Sequence, residues 1–315
     1  MTIALLFPGQ GSQRAGMLNH LPDTPAAAGA YAEALDALST FKDVPSPIDS
    51  IDALASTTNA QLALVVASVV TARALVDDHR LRVDAVAGHS VGAFSAAVIA
   101  GVLGLSDALS VVKVRGAEME RACAGGAWGM AALRGLRQTS VQRLVEAVST
   151  QTDPLWIANI NSSDQIVVSG TRIALDTLRL QAPEAGATAL TVLDVSVASH
   201  CPLQAETAQA VARALALVSH GEQRLAYFTN TTGRRVSRDA SRVIDDLAQA
   251  VRQPVRWYDA IQLMPEVGIT ATIQMPPGSV LTSISSRETP AVTSVAIDDI
   301  GIASALLRTR SANEL

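Results

Sequence analysis

The sequence predicts an α/β fold, a large layer with a mostly parallel sheet that carries a small inserted ferredoxin-like (βαββαβ) unit, on three observations. Short apolar runs suited to buried strands alternate with long helical patterns through the first 124 residues, the rhythm of a strand–helix layer. A Gly-His-Ser-Val-Gly turn at residues 88–92 separates one such run from a small-residue, apolar helical pattern. Between residues 125 and 197 the order becomes strand-helix-strand-strand-helix-strand, which is the ferredoxin-like arrangement. The expected division is a discontinuous large domain, residues 1–124 and 198–315, with residues 125–197 inserted into it.

Each element has a local reason. Residues 3–7 are an unbroken apolar run, read as a buried strand and closed by the turn Pro8-Gly9-Gln10-Gly11-Ser12-Gln13. Helical patterns follow at 26–38 and 60–77, then a strand at 84–87 and a buried helix at 93–101. Ser106-Asp107 reads as the N-cap of the next helix. Within the inserted unit, strands are expected at 128–133, 155–160, 165–169 and 189–195, and helices at 140–148 and 173–182. Beyond it come a helix at 204–218 closed by His220-Gly221, a strand at 225–229 and a helix at 244–251 that stops before Pro254. Residues 269–274 read as a last buried strand before Pro276-Pro277-Gly278.

Composition excludes several classes of function. With 49% apolar and 17% charged residues, the 315-residue chain has ample material for a globular core and none of the signature of disorder. A net charge of -5 gives no support for nucleic-acid binding, which calls for a basic domain. Cys123 and Cys201 show neither a disulfide framework nor metal-ligand spacing, so no metal is expected and a reducing, cytoplasmic setting fits. The N-terminal apolar run lacks a basic flank and meets Pro8-Gly9 too early for a secretion signal. The apolar stretch 62–76 contains Arg73 and falls short of the roughly 20 residues that span a bilayer, so it reads as a core helix and no membrane is expected.

Ser90 occupies the centre of a G-x-S-x-G turn between strand and helix, the setting of a nucleophile elbow in an α/β-hydrolase-like layer. Strand and helix pass so closely there that a Cβ at either flanking glycine would collide. An inert glycine-rich bend is the competing reading of these five residues. A serine needs an adjacent base to act as a nucleophile, and the chain has five histidines. His20, His79 and His220 sit in polar or helix-terminal surroundings, and His89 abuts Ser90 on a turn where neighbours point apart. His200 follows a strand end at the seam between inserted and main domains, where clefts form, and is the candidate base. The backbone N–H of Val91, directly after the serine, and that of Gln10, in the first glycine-rich turn, are the candidate oxyanion donors. Arg115 reads equally as a bidentate clamp for a substrate carboxylate or as a solvated helix-face arginine.

Phe7-Pro8-Gly9-Gln10-Gly11-Ser12-Gln13, Gly88-His89-Ser90-Val91-Gly92, Val114-Arg115-Gly116, Ala158-Asn159-Ile160-Asn161-Ser162, Ser199-His200-Cys201 and Pro254-Val255-Arg256-Trp257, in that order, resemble the malonyl-CoA:acyl carrier protein transacylases over nearly the whole chain. The resemblance implies that Ser90 takes a malonyl group from a CoA thioester, with no bound cofactor, and passes it to the thiol of a carrier protein. It implies His200 as base, Gln10 and Val91 as oxyanion donors, Arg115 as carboxylate clamp and Asn161 as a further substrate contact. It also implies that a backbone carbonyl, here that of Ala250, orients His200 in place of a triad acid. Family members commonly carry glutamine at that position, whereas this chain has Ala250 with Gln249 beside it.

Ala93-Phe94 after the elbow, where members serving fatty-acid synthesis usually have glutamate at the first position, is similar to the epsilon-subunit branch of the malonate decarboxylases. That likeness implies a carrier subunit with a dephospho-CoA-derived thiol as acceptor, and other decarboxylase subunits as partners. A transacylase of fatty-acid synthesis is the nearest alternative, and a serine esterase or a non-catalytic complex subunit the alternatives from other classes. Arg234, Arg235, Arg238 and Arg242 form a basic cluster that reads either as a carrier-docking face or as a solvated surface.

Overall fold

The computed structural model describes residues 1–309. Among these, ten strands form two sheets: β1 (Ile3–Phe7), β2 (Ala85–Gly88), β3 (Trp128–Arg134), β4 (Leu155–Ile160), β5 (Gln165–Thr171), β6 (Ala189–Val192), β7 (Ala226–Phe228), β8 (Arg235–Val236), β9 (Ala271–Gln274) and β10 (Thr293–Ala296). The larger sheet runs β10-β9-β1-β2-β7-β8. Its first five strands are mutually parallel and β8 closes the edge antiparallel to β7.

Every residue of β1, β2, β7 and β9 is buried, as expected of parallel strands covered on both faces. Leu5 and Phe7 face a core shared with the helix Thr57–Arg73, while Ala4 and Leu6 face one shared with the helices Trp257–Glu266 and Val280–Glu288. The stretch Thr57–Asp78 is 22 residues long and apolar enough to cross a membrane, yet 83% of its most apolar window is buried inside the protein. Its residues 57–72 are buried on every side because helices surround it, including Pro25–Ser39, Gly92–Ile99 and Leu105–Cys123.

The second sheet, β4-β5-β3-β6, is wholly antiparallel. Two-residue periodicity sorts its side chains. Ala131, Leu133, Ile166 and Val168 pack against the helices Gln138–Val148 and Arg172–Gln181, while Met130, Ala132 and Val167 face the larger sheet's ends. A bulge between Ile157 and Asn159 shifts the register of β4, and Asn159 then bridges to Val255 of the larger unit.

Three local expectations are corrected. The helix Leu105–Cys123 is capped by Gly104, not by Ser106-Asp107; Asp107 lies in the first turn, where its charge faces the positive helix end. The helix Ala205–Ala216 stops at Leu217, before Gly221. Gly221 instead packs where a Cβ would come within 2.2 Å of the Gly101 carbonyl oxygen, while His220 Nε2 donates to the Leu215 carbonyl at 2.8 Å. Residues 269–274 do not hold the last strand. β10 follows at Thr293–Ala296, an edge strand whose Thr293 and Ser294 leave no apolar run to announce it.

Candidate active site

The parallel strands β1, β2 and β7 end on the same side, and each delivers one part of the site. After β2 the chain turns at Ser90 with φ 55°, a left-handed conformation rare for a residue with a Cβ, and enters the helix Gly92–Ile99. The turn closes because its flanks are glycines. A Cβ on Gly88 would lie 2.1 Å from the Gly92 carbonyl group, and one on Gly92 would lie 2.2 Å from the Phe7 oxygen. The loop after β1 packs on this elbow just as tightly, since a Cβ on Gly9 would meet the His89 oxygen at 2.6 Å.

Ser90 Oγ lies 2.8 Å from His200 Nε2, and His200 Nδ1 lies 2.6 Å from the carbonyl oxygen of Ala250. A carbonyl only accepts, so Nδ1 carries the proton and Nε2 is left to accept from the serine hydroxyl. His200 also has a left-handed φ of 59°, held by donation of its N–H to the Val251 carbonyl at 2.8 Å. Burial, reinforced by the Arg115 cation, pushes the imidazole down from its ordinary 6.5 to about 3. It is therefore neutral at physiological pH, the state in which an imidazole can accept a proton.

Arg115 is 2% exposed. Its Nη2 donates to Ser90 Oγ at 3.1 Å and its Nη1 to Gln61 Oε1. Burial lowers its pKa to about 10, with no acidic neighbour contributing among the described residues, so it remains a cation. A buried guanidinium without a carboxylate partner is a ready receptor for an anionic group.

The remaining expected residues fall around the same cleft of about 500 Å³. Gln10 lines it beside Ser90. Val91 precedes the helix Gly92–Ile99, so its N–H belongs to the positive helix terminus. Among the described residues, neither the Gln10 nor the Val91 amide donates to a protein acceptor. Asn161 also lines the cleft, but its Oδ1 is 2.9 Å from His89 Nε2. His89 is half-buried, edge-on against Trp257, and its partial removal from water pushes its pKa down while the Asn161 hydrogen bond opposes the shift. The basic cluster of Arg234, Arg235, Arg238 and Arg242 does not line the cleft. Among the described residues, no three His, Cys, Asp or Glu side chains converge as a metal-ligand set.

Three residues that sequence reasoning missed support the site. Gln61 is a fully buried amide in the first turns of the helix Thr57–Arg73, and it steadies Arg115 by accepting from its Nη1. Asn230, just beyond β7, accepts from the Ser90 N–H at 2.8 Å and donates to the Gly88 oxygen at 2.9 Å. Asp246 accepts from the backbone N–H groups of Asn230 and Thr231. Burial raises its pKa while these amides lower it.

A serine on an elbow, a neutral histidine within hydrogen-bond reach of it and unengaged amides in one cleft are the arrangement of enzymes that move acyl groups. The pattern of the acyl transferase domain family matches residues 4–300, and the chain belongs to that family. It is 31% identical to a malonyl-CoA:acyl carrier protein transacylase of Salmonella typhimurium over 96% of this chain and 98% of that protein. A solved transacylase of the same description from Coxiella burnetii superposes with a TM-score of 0.90 at 28% identity, covering 98% of both chains. A malonyl-transacylase solved with a type II polyketide-synthase acyl carrier protein superposes with a TM-score of 0.89 at 30% identity, covering 98% of this chain and 99% of that one.

Proposed function

We propose that the protein carries a malonyl group from malonyl-CoA to the thiol of a carrier protein through an ester on Ser90. The observation that carries this reading is Arg115, a buried cation 3.1 Å from the serine oxygen and without an acidic partner among the described residues. An acyl group ending in a carboxylate satisfies it; an acetyl group leaves it uncompensated. Ser90 Oγ attacks the thioester carbonyl while His200 Nε2 takes its proton, and the Gln10 and Val91 amides receive the oxyanion. The collapsing intermediate expels CoA, whose sulfur takes the proton back from His200. A carrier thiol then enters and the steps reverse. Ala250 orients His200 through its carbonyl, a role its methyl side chain does not impair. CoA enters as part of the substrate, so the scheme needs no resident cofactor.

The acceptor we propose is the dephospho-CoA-type carrier subunit of a malonate decarboxylase, with the other decarboxylase subunits as partners. Ala93 and Phe94, both buried just past the elbow, support it as the residues that resemble the epsilon-subunit branch. A second reading, transfer to an acyl carrier protein that lacks the dephospho-CoA nucleotide, is favoured by the relative solved with an acyl carrier protein. Mass spectrometry after brief incubation with malonyl-CoA tests the common step, and a missing malonyl adduct on Ser90 removes both readings. Initial rates with the two carriers separate them: saturable transfer confined to the acyl carrier protein eliminates the decarboxylase assignment.

A further inference from the structure

Nucleophile and base are anchored to one helix. The carboxylate of Asp246, 3% exposed in the helix Ala240–Gln249, accepts four hydrogen bonds. They come from Tyr227 Oη and the Asn230 N–H on one oxygen, both at 2.9 Å, and from the Thr231 N–H and hydroxyl on the other, at 2.9 and 2.7 Å. Four donors saturate the carboxylate and fix the segment after β7 in place. The side chain of Asn230 then spans the elbow, taking the Ser90 N–H on its oxygen and giving its Nδ2 to the Gly88 carbonyl. That grip falls on a residue in the left-handed region, where backbone persists only when its surroundings over-determine it. The same helix continues into the turn Ala250–Arg252, whose first two carbonyls hold His200 Nδ1 and N.

We infer that Asn230 and Asp246 are positioning residues of the acyl transfer, which tie the nucleophile elbow to the helix that carries the base and so set the separation of Ser90 Oγ and His200 Nε2. The inference rests on Ser90 and His200 being nucleophile and base. Neither Asn230 nor Asp246 lines the cleft, so neither touches substrate. Asn230→Ala releases the elbow without altering Arg115 or His200. A misplacement on the order of 1 Å lowers the rate of a positioned reaction about 100-fold, whereas contacts to malonyl-CoA in the cleft survive.

The test is single-turnover formation of the malonyl adduct on Ser90, with rates normalised to folded protein, beside the wild-type protein and Ser90→Ala. Asn230→Ala is expected to acylate about 100-fold more slowly with the concentration of malonyl-CoA at half-saturation within about twofold of wild type. Asp246→Asn, which turns an NH2 group toward two of the four donors, is expected to lose rate in the same pattern. A lower melting temperature with an unchanged normalised rate overturns the proposal, since it marks a purely structural role. So does a rate loss matched by an equal rise in half-saturation. If Asn230→Ala yields no folded protein, Tyr227→Phe is read instead. It removes one donor to Asp246, is expected to slow acylation roughly threefold or more, and overturns the proposal if the rate is unchanged. Failure of the underlying reading looks different: the wild type itself would then form no adduct, or Ser90→Ala would form one.

Discussion

Arg115 Nη2 stands 3.1 Å from the oxygen of Ser90 that His200 Nε2 approaches to 2.8 Å. One hydroxyl thus accepts from a cation and donates to a neutral base. In the proposed reaction this contact favours a developing negative charge on the serine oxygen and leaves the guanidinium beside the incoming carboxylate. If desolvated and bidentate, that carboxylate contact contributes about 1.5–3 kcal/mol, or roughly 10–100-fold. Arg115→Ala is expected to reduce the preference for malonyl-CoA over acetyl-CoA by that factor, read as the ratio of the two kcat/KM values. An unchanged ratio removes the clamp from the mechanism. Gln61→Ala, which frees one side of the guanidinium, is expected to move the ratio in the same direction by a smaller factor.

The depressed pKa of His200 sets a pH dependence with a definite sign. Burial and the Arg115 charge hold it near about 3, so kcat/KM for malonyl-CoA is expected to show no acid limb around 6.5. Arg115→Ala removes one cause of the depression and is expected to move any acid limb upward. Stability follows by linkage. As pH falls through 6.5 the unfolded histidine gains a proton that the folded one refuses, so stability present above 6.5 is lost progressively toward about 3. The difference in melting temperature between the wild type and His200→Asn is expected to shift against the wild type from about pH 7 to about pH 5. A difference constant across that range refutes the depressed pKa.

The legible part of the site is the part enforced by local sterics. Gly88 and Gly92 are required by backbone contacts within a few residues and with the first strand's turn, so the elbow is visible as a pattern. His200 is visible because a strand-end loop at a junction has few other residues that can act as a base. Ala250 was reachable only through family resemblance, because it acts through a carbonyl that every residue possesses. Gln61, Asn230 and Asp246 meet partners 54, 140 and 16 residues away, respectively. No spacing rule encodes such pairings, which exist only once parallel strand ends are brought side by side. The strands β8 and β10 escaped for a different reason, being edge strands of two and four residues with little apolar content.

Glycine substitutions separate close packing from open surface. Gly88→Ala and Gly92→Ala each drive a methyl group into backbone that has no flexible end to yield. Each is expected to destabilise the protein by about 1–3 kcal/mol and to lower the melting temperature by several degrees, with loss of Ser90 acylation. Gly29→Ala is the contrast: it lies in the helix Pro25–Ser39, where, among the described residues, nothing beyond the helix's own neighbouring backbone comes within 4 Å of the new Cβ. It is expected to gain up to about 1 kcal/mol in stability and leave activity intact. Equal melting temperatures for Gly29→Ala and Gly92→Ala contradict the packing described at the elbow.

The thiol adjacent to the base offers a last check on which nucleophile the fold activates. Cys201 follows His200 directly but is 1% exposed, its Sγ directed to the Ala198 carbonyl, and burial pushes its pKa up to about 11. Cys123 is buried and likewise shifted upward by burial. Reactivity follows the thiolate fraction and access, and both are minimal here, whereas Ser90 opens on the cleft beside a neutral imidazole. Iodoacetamide on the folded protein is therefore expected to label neither cysteine and to leave acyl transfer unaffected, while labelling both after denaturation. A serine-directed organophosphorus reagent is expected to abolish transfer by modifying Ser90. Rapid native alkylation of Cys201 with matching loss of activity contradicts this assignment, because it requires an accessible thiolate where the fold provides a buried, protonated thiol.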